Sequence, residues 1–204
     1  MPRRVGNNWI GSILMFSKIP VIETKRLILT VAGPECVPFV KEYMMANRDH
    51  FRGSRPDLPE DAASDSYWHA QLAQQRDRFS AGSAVYFTIF ERHPGPVLGD
   101  CNFTYIVRGP LQACYLGYKL DRDAVGKGIM TEALTAAIGY MFEHVKLHRI
   151  MANYRPGNER SGRVLRRLGF TVEGFARDYL FLDGAWQDHI LTALVNPNPT
   201  PPSV

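Results

Sequence analysis

The sequence predicts an α/β fold of the α+β kind, with a mixed and mostly antiparallel sheet flanked by helices. Three observations lead to this class. Aromatic and β-branched runs follow one another over 84–120 with short turns between them, which indicates an antiparallel meander. Apolar residues then recur with a helical period over 130–145. After this helix the chain predicts a strand, another helix and a hairpin, which differs from the regular alternation of a doubly wound sheet.

The segment before the meander predicts one strand and two helices. Residues 27–31 are apolar and partly β-branched, as in a short strand. Pro34 fits the first turn of a helix running to about Arg48, because a first-turn residue needs no intrahelical N–H bond. Residues 60–80 predict the second helix, and its candidate inward positions are Trp68, Leu72 and Phe79.

The meander and the helix after it give the clearest signals. The three strands cover 84–90, 97–107 and roughly 112–120, with turns at 92–96 and 108–110. The apolar face of the following helix consists of Met130, Ala133, Leu134, Ala137, Ile138, Met141, Phe142 and Val145. This spacing of one and three residues predicts an amphipathic helix of about four turns.

The rest of the chain predicts a strand, a helix and a hairpin. The strand covers 148–154, and a helix follows from Asn158 to Leu168. Gly169 is the expected left-handed residue that ends this helix. Phe170 begins another strand, and the Asp-Gly pair at 183–184 predicts a hairpin turn between 178–182 and 185–194.

Composition indicates an ordinary globular domain with two irregular ends. Of the 204 residues, 45% are hydrophobic and 22% are charged, close to the averages of globular proteins. We expect one domain over 21–195, a flexible extension over 1–20 and a disordered Pro-rich tail over 196–204. No apolar run reaches the ~18 residues of a membrane span, so we expect no membrane partner.

The cysteines and histidines predict neither a disulfide framework nor a metal site. Cys36, Cys101 and Cys114 are odd in number and form no C-x-x-C pair, which favours a reducing cytoplasm. His144 and His148 have a metal-like spacing, but they span a predicted helix end and strand start, so we interpret them as surface residues.

A glycine-containing loop, Asp123 to Gly128, leads into the long helix. Backbone N–H groups at a helix start have no internal partner and lie at the positive end of the dipole, so such a loop can bind an anion such as phosphate. By itself the Gly-x-Gly spacing is a weak signal. It lacks the G-K-[ST] ending of a Walker loop and the third glycine of a dinucleotide fingerprint.

Eight segments together carry a resemblance to a known family. They lie at 23–27, 114–118, 128–134, 149–154, 158–162, 168–170, 178–180 and 183–189. Over about 22–195 the chain resembles the GNAT superfamily of N-acetyltransferases, and within it the ribosomal-protein N-terminal acetyltransferases of the RimJ type. Two positions depart from the superfamily's loop motif. Val125 stands where Gln or Arg is usual, and Met130 stands where a small residue is usual.

The resemblance implies a GNAT fold that binds acetyl-CoA as the acetyl donor. In such a fold the strands at about 115–120 and 148–154 splay apart, and the donor enters between them. Backbone groups of the first strand would bind the pantetheine arm, at Tyr118, Lys119 and Leu120. Backbone N–H groups of the loop and the first helical turn would bind the pyrophosphate, at Gly126, Lys127, Gly128, Ile129, Met130 and Thr131.

The resemblance also implies roles near the start of the second helix. Asn158 caps this helix, contacts the coenzyme arm, or does both. Ser161 points at the thioester sulfur and acts as the general acid for the leaving thiolate. The base is left open among Glu173, Asp178 and Asp100. An acceptor α-amino group has a pKa of ~7.7–8.0, so its deprotonation needs a weaker base than that of an acceptor lysine at ~10.4. We expect the amine to attack the thioester directly, without a covalent enzyme intermediate.

The acceptor implied by the resemblance is a protein N-terminus, most simply the N-terminal alanine of a small-subunit ribosomal protein. We therefore expect a cytoplasmic monomer or dimer without a metal. Arg160, Arg163 and Arg167 fit a solvated face, a site for the 3′-phosphate of the coenzyme, or a surface close to ribosomal RNA.

Two other functions stay open at this point. One is acetylation of a small amine such as a polyamine or an antibiotic, and the other is binding of acetyl-CoA by a sensor without turnover. A roomy, open acceptor groove would favour a peptide, whereas a closed acidic pocket would favour a polyamine.

Overall fold

A computed structural model describes residues 19–53, 57–92 and 95–199 of the chain. Most of the predicted N-terminal extension, two residues of the predicted turn at 92–96 and the last part of the predicted tail lie outside the described residues. Within that tail, Asn196 is buried, and its Nδ2 donates to the Leu147 carbonyl oxygen at 3.1 Å. The ordered domain therefore extends at least one residue past the predicted boundary at 195.

The described part of the chain contains eight strands and four α-helices, and all of them after the first strand follow the predicted order. The strands are β1 (Val21–Glu23), β2 (Leu27–Thr30), β3 (Val85–Glu91), β4 (Val97–Val107), β5 (Ala113–Leu120), β6 (Arg149–Tyr154), β7 (Thr171–Leu182) and β8 (Ala185–Val195). The helices are α1 (Val37–Ala46), α2 (Asp65–Ser80), α3 (Ile129–Glu143) and α4 (Glu159–Arg167). Among the described residues, no helix is both long and apolar enough to cross a lipid bilayer.

The strands form one sheet in the order β1-β2-β3-β4-β5-β6-β8-β7. Every neighbouring pair is antiparallel except β5 and β6, which are parallel. The prediction of a mixed, mostly antiparallel sheet with flanking helices is therefore confirmed. The sequence did not predict β1, because a strand of three residues is too short to show an alternating pattern.

Two predicted elements differ in detail from those observed. The segment at Pro34 begins as a 3₁₀ turn over Pro34–Cys36, and α1 ends at Ala46 rather than near Arg48. The strand that starts after Phe170 continues unbroken to Leu182, although its pairing with β8 is interrupted by bulges. The predictions therefore located both elements but placed their ends wrongly, because the ends of helices and strands are the part that local propensity defines least well.

The sheet opens into a wedge between β5 and β6. These strands are in register from Ala113, opposite Arg149, to Leu116, opposite Ala152, where their pairing ends. Beyond that point β5 follows β4 as far as Leu120, whereas β6 follows β8 as far as Tyr154. The splayed central strands that the resemblance implies are therefore present, and the wedge begins at Gly117.

Helices cover both faces of the sheet and bury a separate apolar cluster on each. Side chains of a strand alternate between the faces, so Leu27 and Leu29 join one cluster and Ile28 joins the other. The first cluster lies under α3, whose predicted apolar face is buried as far as Met141. The second lies under α1 and α2 and contains Trp68, whose indole N–H donates to the Ala62 carbonyl oxygen at 2.7 Å. Leu72 is buried there as predicted, whereas Phe79 is only partly buried.

Candidate active site

Two cavities meet at the wedge. The smaller, of about 430 Å³, is lined by the end of β5, the loop before α3, the first turn of α3 and one face of α4. The larger, of about 1120 Å³, is lined by the ends of β5 and β6, the start of α4 and the β7–β8 hairpin. Five residues line both cavities and form their junction: His50, Tyr118, Asn158, Arg160 and Ser161.

The loop before α3 needs glycine at two positions. Gly126 and Gly128 have φ angles of 83° and 74°, in the left-handed region that glycine adopts without steric cost. Gly128 directly precedes α3, and no side chain caps the helix there. The first N–H groups of α3 therefore have no intrahelical partner, and the residues that carry them border the smaller cavity. This arrangement can bind an anion.

Nine of the ten residues predicted to bind the donor line the smaller cavity. They are Tyr118, Lys119, Leu120, Gly126, Gly128, Ile129, Met130, Thr131 and Asn158. The exception is Lys127, whose carbonyl oxygen accepts a hydrogen bond from Arg26 Nη1 at 2.9 Å. Past Leu116 the register of β5 with β6 ends, so one edge of the β5 backbone is available to a ligand.

A polar clamp ties this loop to the start of β2. The Arg26 guanidinium pairs with Glu132 Oε2 at 2.6 Å while also bonding to the loop carbonyl oxygen of Lys127. Thr24 Oγ1 donates to Glu132 Oε1 at 2.6 Å. Burial raises the pKa of Glu132, but the hydrogen bonds from Thr24 and Arg26 outweigh it and leave the pKa below its usual value. The carboxylate is therefore charged at neutral pH, and the clamp is intact there.

Asn158 and Ser161 sit at the first turn of α4. Asn158 Oδ1 accepts a hydrogen bond from the Ser161 N–H at 3.2 Å, which confirms that Asn158 caps the helix. The cap leaves the Ser161 side chain at the junction of the two cavities. Gly162 allows α4 to approach β6 closely, since a Cβ there would lie 3.0 Å from the Tyr154 ring.

Tyr118 and Ser161 are hydrogen-bonded side chain to side chain. Tyr118 Oη and Ser161 Oγ are 2.6 Å apart, and either oxygen can donate. Burial raises the pKa of Tyr118 to about 12, so the phenol is protonated at neutral pH. When Tyr118 donates, the Ser161 hydroxyl hydrogen is free for a third group in the cavity. The sequence assigned only backbone contacts to Tyr118, because its side-chain partner lies 43 residues away.

The basic face of α4 borders the smaller cavity. Arg160, Arg163 and Arg167 all line it, whereas Arg166 does not. Arg163 also approaches Glu159 at 3.6 Å, but both side chains are more than half exposed, so this pair contributes little. Of the three predicted interpretations, a site for an anionic ligand agrees best with this placement. Phe51, which follows α1, lines the same cavity and was not predicted, because nothing in its local sequence links it to the wedge.

The larger cavity has a mixed charge. Arg52, Arg155 and Arg160 line it together with Glu159, Asp178 and Asp188. Its rim at the hairpin is apolar and open to solvent, since Trp186 is 60% exposed and packs edge-on against Phe181 with ring centroids 5.6 Å apart. This cavity is therefore neither closed nor predominantly acidic.

The three predicted candidates for the base differ in position. Asp178 lines the larger cavity. Glu173 instead pairs with Arg149, and neither residue lines a cavity at the wedge. Asp100 pairs with Lys119 at 3.0 Å and accepts hydrogen bonds from Asn102 and Tyr43. The fold therefore brings one of the three to the site, and it adds His189, which the sequence did not single out.

The buried cysteines take no part in this site. Burial raises the pKa of Cys36 to about 11 and that of Cys114 to about 12, so neither is a thiolate at neutral pH. Burial likewise raises the pKa of Cys101 well above its ordinary value. Among residues 19–53, 57–92 and 95–199, no group of three or more His, Cys, Asp or Glu side chains could hold a metal ion.

Comparison with known proteins agrees with this geometry. The model of the acetyltransferase (GNAT) domain family matches residues 26–171, which include the clamp, the loop and α4. The chain is 43% identical over 187 residues to the "[Ribosomal protein uS5]-alanine N-acetyltransferase" of Escherichia coli. That alignment covers 91% of this chain and 96% of the relative.

Two solved structures have the same fold over nearly the whole chain. The ribosomal-protein-S5-alanine acetyltransferase from Vibrio fischeri has a TM-score of 0.85 at 34% identity, covering 89% of this chain and 100% of that one. Mycobacterium smegmatis RimJ in complex with CoA-disulfide has a TM-score of 0.79 at 26% identity, covering 89% and 90%. With the wedge and its two cavities, these matches make the chain a member of the GNAT acetyltransferase family, an enzyme of a fold that uses acetyl-CoA as its acetyl donor.

Proposed function

We propose that the protein acetylates the α-amino group of a protein N-terminus, with the N-terminal alanine of a small-subunit ribosomal protein as its acceptor. The observation that carries this proposal is the 43% identity, over 91% of the chain, to an enzyme named for that acceptor. Such an acceptor would make the enzyme cytoplasmic, as expected from its free cysteines.

The smaller cavity has the features that a coenzyme A molecule requires. Backbone N–H groups at the start of α3 suit the pyrophosphate, and the free edge of β5 suits the pantetheine amides. We assign the 3′-phosphate to Arg163 and Arg167, because these residues border the same cavity and a guanidinium binds phosphate in a bidentate manner. Asn158 fits the pantetheine arm in addition to capping α4.

Ser161 fits the role of general acid because it lies where the two cavities meet. The amine would attack the thioester carbonyl carbon from the larger cavity, and the sulfur would leave on the side of α4. Ser161 can then donate its hydroxyl proton to the sulfur while it accepts one from Tyr118 at 2.6 Å. No covalent enzyme intermediate is needed.

The larger cavity suits a polypeptide end better than a polyamine. Its volume of about 1120 Å³ exceeds what a small amine fills, and cavities for drug-sized ligands reach about 1,000 Å³. A polycation would also meet Arg52, Arg155 and Arg160 in the same cavity. A chain terminus carries one charge and then neutral backbone, so it avoids this repulsion.

Release of free thiol from acetyl-CoA provides the test. The protein is incubated with acetyl-CoA and peptides that begin with Ala, Ser, Thr or Met, and with spermidine in a parallel reaction. We expect turnover on the peptides, fastest on Ala, and the product should carry its acetyl group on the α-nitrogen by mass spectrometry. The matched control is the Ala peptide with a formyl-blocked N-terminus and a free internal lysine, which should not react.

Two outcomes would overturn the proposal. Turnover on spermidine without turnover on any peptide would identify a small-amine acetyltransferase. Tight binding of acetyl-CoA without thiol release from any acceptor would identify a sensor.

A further inference from the structure

We infer that His189 is the proton acceptor for the attacking amine, an inference that rests on the acetyl transfer proposed above. His189 lies in β8, lines the larger cavity and is 4% exposed. A buried histidine beside a reaction cavity either fills space or exchanges protons. Three features of its surroundings favour the second role.

The first feature is a fixed tautomer. His189 Nδ1 lies 2.9 Å from the Gln187 carbonyl oxygen. A carbonyl oxygen only accepts, so Nδ1 carries the hydrogen and Nε2 of the neutral ring carries the lone pair. Nε2 makes no hydrogen bond to the described residues, and His189 lines the larger cavity, so we expect Nε2 to accept a proton there.

The second feature is a bulge that holds the ring. Ala176 of β7 is opposite His189 and Leu180 is opposite Gln187, so three residues of β7 face the single residue Asp188. Asp178, in this bulge, has a φ of 47°, and its N–H donates to Asp188 Oδ1 at 2.9 Å. A left-handed aspartate is held only where the surrounding structure compensates for it, and bulges of this kind occur beside active sites. The bulge places the Tyr179 ring 5.5 Å from the His189 ring.

The third feature is the face of the sheet. Leu191 is opposite Asn153, and His189, two residues away, shares their face because strand side chains alternate. Tyr154 projects from the other face, toward α4 and Gly162. Tyr118 packs against the same apolar cluster as Tyr154, so His189 and the Tyr118–Ser161 pair lie on opposite faces of the sheet, and all three residues line the larger cavity. This arrangement suits acetyl transfer. The base would lie on the side of the attacking amine, and the acid would lie on the side from which the sulfur leaves.

The carboxylates of the larger cavity fit the role less well. Asp188 accepts the Asp178 N–H, and Glu159 lies near Arg163 on an exposed turn. Asp178 is exposed to solvent and has left-handed backbone geometry in the bulge, whereas His189 is buried and its neutral ring keeps a lone pair on one nitrogen. Histidine is also the side chain that most often acts as a general base.

The resulting step balances in atoms and charge. The nitrogen lone pair of the neutral amine forms the new bond to the thioester carbonyl carbon. Collapse of the tetrahedral adduct breaks the carbon–sulfur bond, and the sulfur takes the Ser161 hydroxyl proton. The nitrogen proton passes to His189 Nε2. Exchange with water then removes the proton from the imidazolium and restores the Tyr118–Ser161 pair.

The test compares His189→Ala and His189→Asn with wild type on whichever amine the wild-type protein acetylates. The asparagine amide can still donate to the Gln187 carbonyl oxygen but has no basic nitrogen, so it preserves the fold if the alanine variant does not. We expect kcat/KM to fall by about 10²–10⁴-fold in both variants, while the Kd of coenzyme A stays within about twofold. Free imidazole should restore part of the rate in His189→Ala and none in Ser161→Ala. Asp178→Asn should lose less than about tenfold.

Retention of more than about a third of wild-type kcat/KM in the folded His189→Asn variant would overturn the inference. So would a loss in Asp178→Asn that exceeds the loss in His189→Asn, because the carboxylate would then be the base. Neither outcome affects the proposed acceptor, which the wild-type peptide panel tests independently.

Discussion

At the scale of single residues, the proposed general acid takes part in one hydrogen bond between residues far apart in sequence. Ser161 is oriented by the Asn158 cap, which is local, and by Tyr118, which is not. The buried phenol keeps its proton at neutral pH, so it can donate to Ser161 and is not a competing base. The pair can therefore deliver a proton to a leaving thiolate without a charged acid in the site.

Removing the hydroxyl of Ser161 tests this role. A thiolate with a pKa of ~8.5 leaves fairly well unaided, so we expect Ser161→Ala to lower kcat by only about 10–100-fold. Tyr118→Phe should lower kcat less, because Ser161 retains its own proton. Thiol-release kinetics give kcat, and calorimetry should find the Kd of coenzyme A nearly unchanged.

Ser80→Ala is the matched control, since Ser80 is an exposed serine at the end of α2. An unchanged kcat in Ser161→Ala would remove Ser161 from the reaction.

Site residues that belong to a local sequence motif could be predicted. Residues that reach the site from other strands and loops could not. The Asn158 and Ser161 positions follow from a four-residue pattern at a helix start. The Tyr118 side chain, Phe51 and His189 take their places only when separate strands and loops converge on the wedge. Of the three carboxylates considered as bases, Asp100 and Glu173 form ion pairs with residues of other strands, and such pairs cannot be foreseen from the sequence.

At the scale of elements, the loop before α3 is held by hydrogen bonds from the residues that precede β2. Arg26 bonds to Glu132 in the first turn of α3 and to the Lys127 carbonyl oxygen in the loop. The strand and the helix are thereby joined across more than a hundred residues of sequence. Since glycines leave the loop flexible before folding, we expect this clamp to select one loop conformation.

Arg26→Ala should therefore weaken coenzyme A binding although Arg26 does not line the smaller cavity. A lost hydrogen bond of about 0.5–1.5 kcal/mol corresponds to roughly a two- to tenfold increase in Kd, measured by calorimetry. Glu132→Gln should have a smaller effect, because the amide oxygen can still accept from Thr24 or Arg26. kcat at saturating donor should change little in either variant.

Arg78→Ala is the control, because Arg78 bonds to Tyr86 on a different part of the sheet. If Arg26→Ala and Arg78→Ala left coenzyme A affinity equally unchanged, the clamp would not position the loop.

Helices and strands could be predicted where apolar residues repeat regularly along the sequence. Bulges and other irregular segments could not. The face of α3 repeats for four turns, and the meander strands are separated by Gly and Pro. The bulges of β7 leave no such pattern, because an inserted residue shifts the alternation without changing the residue types. The hairpin was therefore foreseen, whereas the bulge that aligns Asp178, Tyr179 and His189 was not.

At the scale of the whole molecule, one continuous sheet separates two apolar layers. The α3 side and the α1–α2 side bury different faces of the same strands. The smaller cavity draws on both sides, because Phe51 follows α1 whereas Ile129 begins α3. A ligand in that cavity would contact both layers, and because the layers share one sheet we expect them to unfold together.

Binding of coenzyme A should accordingly raise the unfolding temperature of the molecule as a single unit. At a concentration 100 times its Kd, a ligand that binds only the folded state adds about 2.7 kcal/mol to the free energy of unfolding. For a domain of this size each kcal/mol raises Tm by about 2–4 °C, so we expect a shift of roughly 5–11 °C. Differential scanning calorimetry should show one peak without ligand and one displaced peak with it. A second peak that stays in place would mean that the α1–α2 layer unfolds independently of the wedge, and the two layers would then not form one cooperative unit.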